Sequence, residues 1–253
     1  MERPLILVTN DDGITAPGIR ALISVMNEIG EVYVVAPDSP QSGMGHAITL
    51  DSTLKCNPVT IDGGTQKEMS CSGTPADCVK IAIDKILPRH PDICVSGINH
   101  GSNASINVIY SGTMSAAVEA GLEGIPAVGF SLLDPSWAAD FETAKPYIKK
   151  IVKQVLQNGL PHGVVLNVNI PATKDIKGIQ VVRQCKGRWE EEYIERQDPR
   201  GRNYYWLTGT FVNLDEETDN DEYALSQNYI SLVPIQCDLT AYKALESIKN
   251  WEF

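Results

Sequence analysis

The chain has 253 residues, of which 43% are hydrophobic and 21% charged, and a net charge of −11. Those values suit a soluble globular protein with material for one large domain or two small ones. The acidic balance argues against following a nucleic-acid polymer by charge, which takes clustered Lys and Arg, and no run of 18 apolar residues offers a membrane span. An acidic protein that handles phosphate must neutralise it locally, by a metal or by helix N-termini.

Residues 5–9, Leu-Ile-Leu-Val-Thr, read as a strand buried on both faces. The strand ends abruptly in Asn10-Asp11-Asp12-Gly13. A helix is expected over 18–28, a strand over 32–36 and a polar, Gly-rich loop over 37–46. Segments 47–50, 53–61 and 67–71 read as short strands or extended connections. Thr74-Pro75-Ala76-Asp77 supplies an N-cap, a proline at the first helical position and a first-turn acid, opening a helix over 75–87. Then follow a strand 93–96, a long loop 97–111, a helix 112–122, a strand 126–131, a helix 139–157 and a strand 164–169. Strands alternating with helices imply a parallel sheet with right-handed crossovers.

After Pro171 the pattern changes. Residues 179–212 read as strands without intervening helices, turning at Asp198-Pro199-Arg200-Gly201. Their arms carry Trp189, Tyr193, Tyr204, Tyr205, Trp206 and Phe211. A hairpin so aromatic is poorly suited to stand alone in water; it either packs on another subunit or folds back over its own sheet. A short helix at 219–227, a strand at 229–233 and a terminal helix at 240–251 complete the chain. Two stretches are therefore distinguished within one structural unit: a catalytic core, 1–171, and a C-terminal extension, 172–253, whose hairpin spans about 186–212. The six cysteines show no Cys-x-x-Cys and no zinc spacing. Met-Glu-Arg-Pro-Leu leads straight into the first strand with no signal-peptide pattern, so reduced thiols in a cytoplasmic protein are expected.

The chemistry is expected at the strand tips, where open α/β sheets bind ligands. Asp11 and Asp12 repel each other unless a proton or cation is shared, and a hard divalent ion satisfies both; the alternative is that they cap the next helix. Ser42 and Asn99, in loops after two other strands, add neutral oxygens, a donor set that suits Mg²⁺ or Mn²⁺. Ser111, Gly112 and Thr113 stand at a helix N-terminus, a ready phosphate site, although N-capping alone also accounts for Ser and Thr there. His46 and His100 lie in the same loops without an assigned role. No Gly-x-Gly-x-x-Gly, Walker sequence or thiol-phosphatase loop is present.

Taken in order, Asn10-Asp11-Asp12-Gly13, Gln41-Ser42-Gly43, Ser72-Gly73-Thr74-Pro75-Ala76-Asp77, Ser96-Gly97-Ile98-Asn99 and Tyr110-Ser111-Gly112-Thr113 resemble the SurE family of stationary-phase survival proteins. Asn167-Val168-Asn169-Ile170-Pro171 and Thr218-Asp219 continue the match. The resemblance implies a Rossmann-like, mostly parallel sheet flanked by helices, with a C-terminal extension that builds homodimers or homotetramers by exchanged elements. It implies a 5′- and 3′-nucleotidase that also trims polyphosphate in some members, with one divalent ion per subunit. The metal ligands then fall on Asp11, Asp12, Ser42 and Asn99, and Asn10, Gly43, Ser111, Gly112 and Thr113 line the phosphate site. Ser105 and Asn107 depart from the pattern, which commonly has glycine and an acid there.

The expected reaction is attack of water on a phosphate monoester, with Asp11 or Asp12 as proton acceptor. Two rivals are a haloacid-dehalogenase-like phosphatase, which needs Asp-x-Asp followed by Thr or Val, and a non-catalytic nucleotide sensor.

Overall fold

The computed structural model describes residues 3–252. Its first half alternates strands and helices: β1 (Leu5–Thr9), α1 (Pro17–Asn27), β2 (Glu31–Pro37), β3 (Cys56–Val59), β4 (Lys67–Cys71), α2 (Pro75–Ile81), β5 (Ile93–His100), α3 (Gly112–Leu122), β6 (Ala127–Leu132), α4 (Lys145–Asn158) and β7 (Val164–Ile170). The second half adds β8 (Gly178–Val181), β9 (Gly187–Glu190), β10 (Tyr193–Gln197), β11 (Asn203–Leu207), β12 (Thr210–Asn213), α5 (Asp221–Ser226), β13 (Tyr229–Gln236) and α6 (Tyr242–Ile248).

Nine strands make one sheet in the order β3-β4-β2-β1-β5-β6-β7-β13-β8. From β4 through β7 every pairing is parallel. β13 then runs antiparallel to β7, and β3 runs antiparallel to β4 at the far edge. This is the expected α/β architecture. The apolar run of β1 is explained by its place at the centre: all five residues are buried. Ile6 and Val8 face a core built with α1 and α4, whereas Leu7 faces one built with α2 and α3. α1 lies directly on β5, because a Cβ on Gly18 would come 2.0 Å from the Ile98 carbonyl oxygen.

Several boundaries move. β5 continues past Ser96 to His100 through an irregularity between Ser96 and Asn99, since β6 still offers partners there. Part of the expected loop 97–111 is thus strand, and residues 105–109 form a 3-10 turn. The departures from the family pattern bond outward from this turn. Ser105 N–H donates to Asp221 Oδ2 and its hydroxyl to the Cys185 carbonyl; Asn107 Oδ1 accepts from Trp189 Nε1. α4 begins at Lys145 rather than 139, with Pro146 in its first turn. Residues 47–50 are not strand; Thr49 is instead held by Asp77, which accepts its N–H and hydroxyl.

The aromatic hairpin does not fold back over the sheet. Every residue of β10 and β11 is exposed, while β9 and β12 at its base pair with each other. α6 likewise buries none of its residues.

Candidate active site

β1 and β5 are neighbours whose connections depart in opposite directions, through α1 to β2 on one side and through α3 to β6 on the other. A crevice opens beyond the carboxyl ends of strands at such a switch point. Asn10, Asp11 and Asp12 leave β1 at that place, and Asn99 lies at the end of β5.

Asp11 is buried, 3% exposed. The Thr113 hydroxyl donates to its Oδ1 at 2.5 Å. α3 approaches so closely that a Cβ on Gly112 would stand 2.6 Å from the Cβ of Asp11, so only glycine fits. Burial, with the Asp12 charge adding to it, raises the Asp11 carboxyl from 3.8 to about 6, and the hydroxyl and backbone bonds from Thr113 oppose this only in part. The Asp12 carboxyl is also raised, by burial, with His100 opposing. The His100 N–H points at Asp12 Oδ2 from 3.4 Å, at the long limit of a hydrogen bond.

The loop after β2 folds onto the same rim. Gln41 N–H donates to the Asp11 carbonyl at 2.7 Å, and Gly45 N–H to the Tyr110 carbonyl at 3.2 Å. Ser42 and Gly43 lie between these two anchors and are exposed. Ser111 caps α3 by accepting the Met114 N–H at 3.0 Å. Asn10 donates to the Gly13 carbonyl at 2.9 Å, which leaves its buried Oδ1 without a partner among the described residues. Asn99 Nδ2 donates to the Gly101 carbonyl at 2.9 Å, so its Oδ1 is the atom able to meet a cation. The sequence-predicted residues thus come from four loops to one sheet rim. Thr113 is committed inward, to Asp11, and Asn10 is likewise fully buried.

The rings of the two loop histidines bond to other groups, although His100 Nε2 is buried without a partner among the described residues. His46 Nε2 pairs with Glu119 Oε2 at 2.7 Å, and Lys80 joins the same carboxylate at 2.9 Å; these partners, the histidine first, hold the buried Glu119 carboxyl below its usual range. His100 Nδ1 faces the Ser136 carbonyl at 2.8 Å, so that nitrogen carries the proton. Its ring stacks on Trp137 at 5.2 Å and meets the edge of Phe141 at 5.2 Å. Sequence reasoning passed over Glu119 and Trp137. Trp137 was signalled only by its position shortly after β6; Glu119 carried no signal.

Among the described residues no group of three or more His, Cys, Asp and Glu side chains could hold a metal ion. Asp11 and Asp12 could hold one only with neutral oxygens, and the residues gathered here that supply them are Ser42 and Asn99. Beside this rim, a groove of about 1130 Å³ runs between α3 and β13 and touches the site only through His46 and Ser111.

The family model for survival protein SurE matches residues 6–191. That span exceeds half of the chain and includes every residue of the rim. The chain belongs to the SurE family. Among its relatives, the 5′-nucleotidase SurE of Flavobacterium psychrophilum is 65% identical, covering 100% of this chain and 99% of the relative. The 5′-nucleotidase SurE of Christiangramia forsetii is 67% identical over 99% of this chain and 97% of its own length. A crystal structure of the SurE protein from Aquifex aeolicus superposes with a TM-score of 0.84 at 40% identity, covering 97% of this chain and 98% of that one.

The Asp11 shift has a measurable consequence in chelator. Between pH of about 4 and about 6 the folded carboxyl keeps a proton that the unfolded chain has released. Its contribution to stability is therefore present at low pH and lost as pH rises through about 6. Urea denaturation of metal-free protein is expected to show wild-type stability falling relative to Asp11→Asn across that window, then levelling. A difference independent of pH contradicts the buried, raised carboxyl.

Proposed function

We propose that this SurE-family chain is a metal-dependent phosphomonoester hydrolase that dephosphorylates nucleoside 5′- and 3′-monophosphates and also accepts short polyphosphate. The observation that carries the reading is the meeting of two adjacent, partly desolvated carboxylates with a helix N-terminus at the β1/β5 switch point. The names of its relatives, 5′-nucleotidase SurE, support the substrate class.

The donor set fits one Mg²⁺ or Mn²⁺ ion per subunit. All four candidate ligands offer oxygen, as hard cations require. Both carboxyls are raised by desolvation, a cost that a nearby cation offsets. When bound, the ion supplies Lewis-acid polarisation of the phosphoryl group. Asp11 and Asp12, with Ser42 and Asn99, would hold it. Asp12, the more exposed of the two acids, can take the proton of an attacking water. Gly112 N–H at the start of α3 and the Ser111 hydroxyl would meet the phosphate oxygens as charge shifts onto them, while the fully buried Asn10 braces the turn at Gly13 beneath them. Gly43, exposed in its loop, leaves room for the substrate's approach. Thr113 holds Asp11 in position.

The same reading includes a homodimer or homotetramer. The exposed hairpin and the unburied α6, which presents Tyr242, Leu245 and Ile248, support it, as does a groove lined by Val108, Val118, Val233 and Ile235. Sedimentation is expected to give two or four chain masses; a single 27.6 kDa species contradicts this. We propose a cytoplasmic location, which cell fractionation tests. No helix of the described residues is long and apolar enough to cross a membrane.

The activity is tested by phosphate release from a panel of nucleoside monophosphates and short polyphosphates with Mg²⁺, Mn²⁺ or chelator. Release with metal and none with chelator is expected. Asp12→Asn is expected to lower turnover by roughly 10²–10³-fold, the scale of losing one preorganised electrostatic group, with an unchanged circular dichroism spectrum. Near-normal turnover of that variant across a metal titration contradicts the proposal.

A further inference from the structure

On the far side of β2, away from the carboxylates, three thiols meet. Cys56 on β3 and Cys71 on β4 stand directly opposite each other in the antiparallel pair. The next pair outward is hydrogen-bonded, Ser72 N–H to the Lys55 carbonyl at 2.9 Å. Cys56 and Cys71 therefore occupy a non-hydrogen-bonded position, where Cα atoms lie about 4.5 Å apart. That separation falls inside the roughly 4.4–6.8 Å that a disulfide spans. Their sulfurs are in direct contact. Cys78, in the first turn of α2, adds a third thiol that donates to Cys71. Cys56 is partly exposed, whereas Cys71 and Cys78 are buried.

The charge distribution favours reaction over inert packing. The Cys78 thiol first, then Cys56 and the Gly73 N–H, lower the Cys71 thiol to about 6, against burial and the Asp77 charge. Burial, with Cys71 adding to it, pushes Cys56 up to about 12. The negative charge is thus favoured on Cys71, while Cys56 keeps its proton.

We propose that Cys56 and Cys71 form a reversible disulfide by exchange with a low-molecular-weight disulfide, with Cys56 as the entry thiol. As Cys56 attacks, the Cys71 thiolate accepts its proton, so the nucleophile forms on the accessible Cys56. That sulfur attacks the small disulfide; a bond forms between Cys56 and one half, the original S–S bond breaks, and the other half leaves as a thiolate that takes up the Cys71 proton. Cys71 then attacks Cys56 Sγ, closing the protein disulfide and expelling the second small thiolate, which is protonated by water. One protein thiol and one thiolate have together lost two electrons and one proton, and the small disulfide has gained those two electrons, that proton and one from water to become two thiols.

The bond would staple the edge strand β3 to β4 at the root of the Ser42 loop. Cys71 pairs with Pro37, where that loop departs, and its carbonyl accepts the Asp38 N–H at 2.8 Å.

The test incubates the full-length protein with mixtures of oxidised and reduced glutathione, blocks remaining thiols with iodoacetamide and maps the peptides. A Cys56–Cys71 link is expected, with Cys78, Cys94, Cys185 and Cys237 alkylated and full reversal by dithiothreitol. Cys71→Ser is expected to trap glutathione on Cys56, and Cys56→Ser to slow oxidation of the buried Cys71 by about tenfold or more. Mapping of the wild type alone decides the question if either variant folds poorly. A Cys71–Cys78 link, a link between chains, a lasting mixed disulfide on wild-type Cys56, or no loss of thiols overturns the assignment.

Discussion

Asp11 and Asp12 place two like charges side by side at the end of a strand that water does not reach from either face. Burial alone already works against ionising Asp11, and the charge of Asp12 adds to that cost. A Thr113 hydroxyl offsets part of it, but one hydroxyl does not balance two carboxylates. Something positive must share the site, either a proton or a cation. Under the proposed function it is a cation; no lysine or arginine approaches the pair in any hydrogen bond or ion pair among the described residues.

This constraint explains how the neighbouring loops are held. The Asp11 carbonyl takes the Gln41 N–H and so fixes the loop that carries Ser42. Gly112 exists because a side chain there would strike Asp11, and its absence lets the N-terminus of α3 close on the acids. Gly18 lets α1 sit against Ile98, which steadies the end of β5 just before Asn99. Backbone contacts therefore set the geometry of the rim, and the side chains with chemical roles are left to face the crevice.

The sequence announced this rim clearly because its elements are local. An apolar run ending in two acids reads as a central strand and its tip without knowledge of any partner. The capping sequence of α2 carries its own boundary, and Thr74 and Asp77 form the reciprocal bonds it implies. Other parts depended on distant partners. β5 looked finished at Ser96 because Gly97 and Asn99 are loop residues by composition, yet β6 pairs with Asn99 and His100 and extends it. The antiparallel entry of β13 beside β7 leaves no trace in periodicity. The fate of the aromatic hairpin was equally open, since nothing in its sequence states whether its own sheet or another surface receives Tyr205 and Trp206, both exposed here. The thiol cluster was hidden for the same reason: Cys56 and Cys71 become neighbours only through β-pairing.

The central claim is that one divalent ion neutralises the two acids. Calorimetric titration of chelator-stripped protein with Mn²⁺ tests it most directly. One ion per chain is expected for the wild type, displaced by Mg²⁺, with binding lost in Asp11→Asn and Asp12→Asn alike. Undiminished stoichiometry and affinity in both variants, or no binding by the wild type, would show that a proton and not a metal ion resolves the charge conflict.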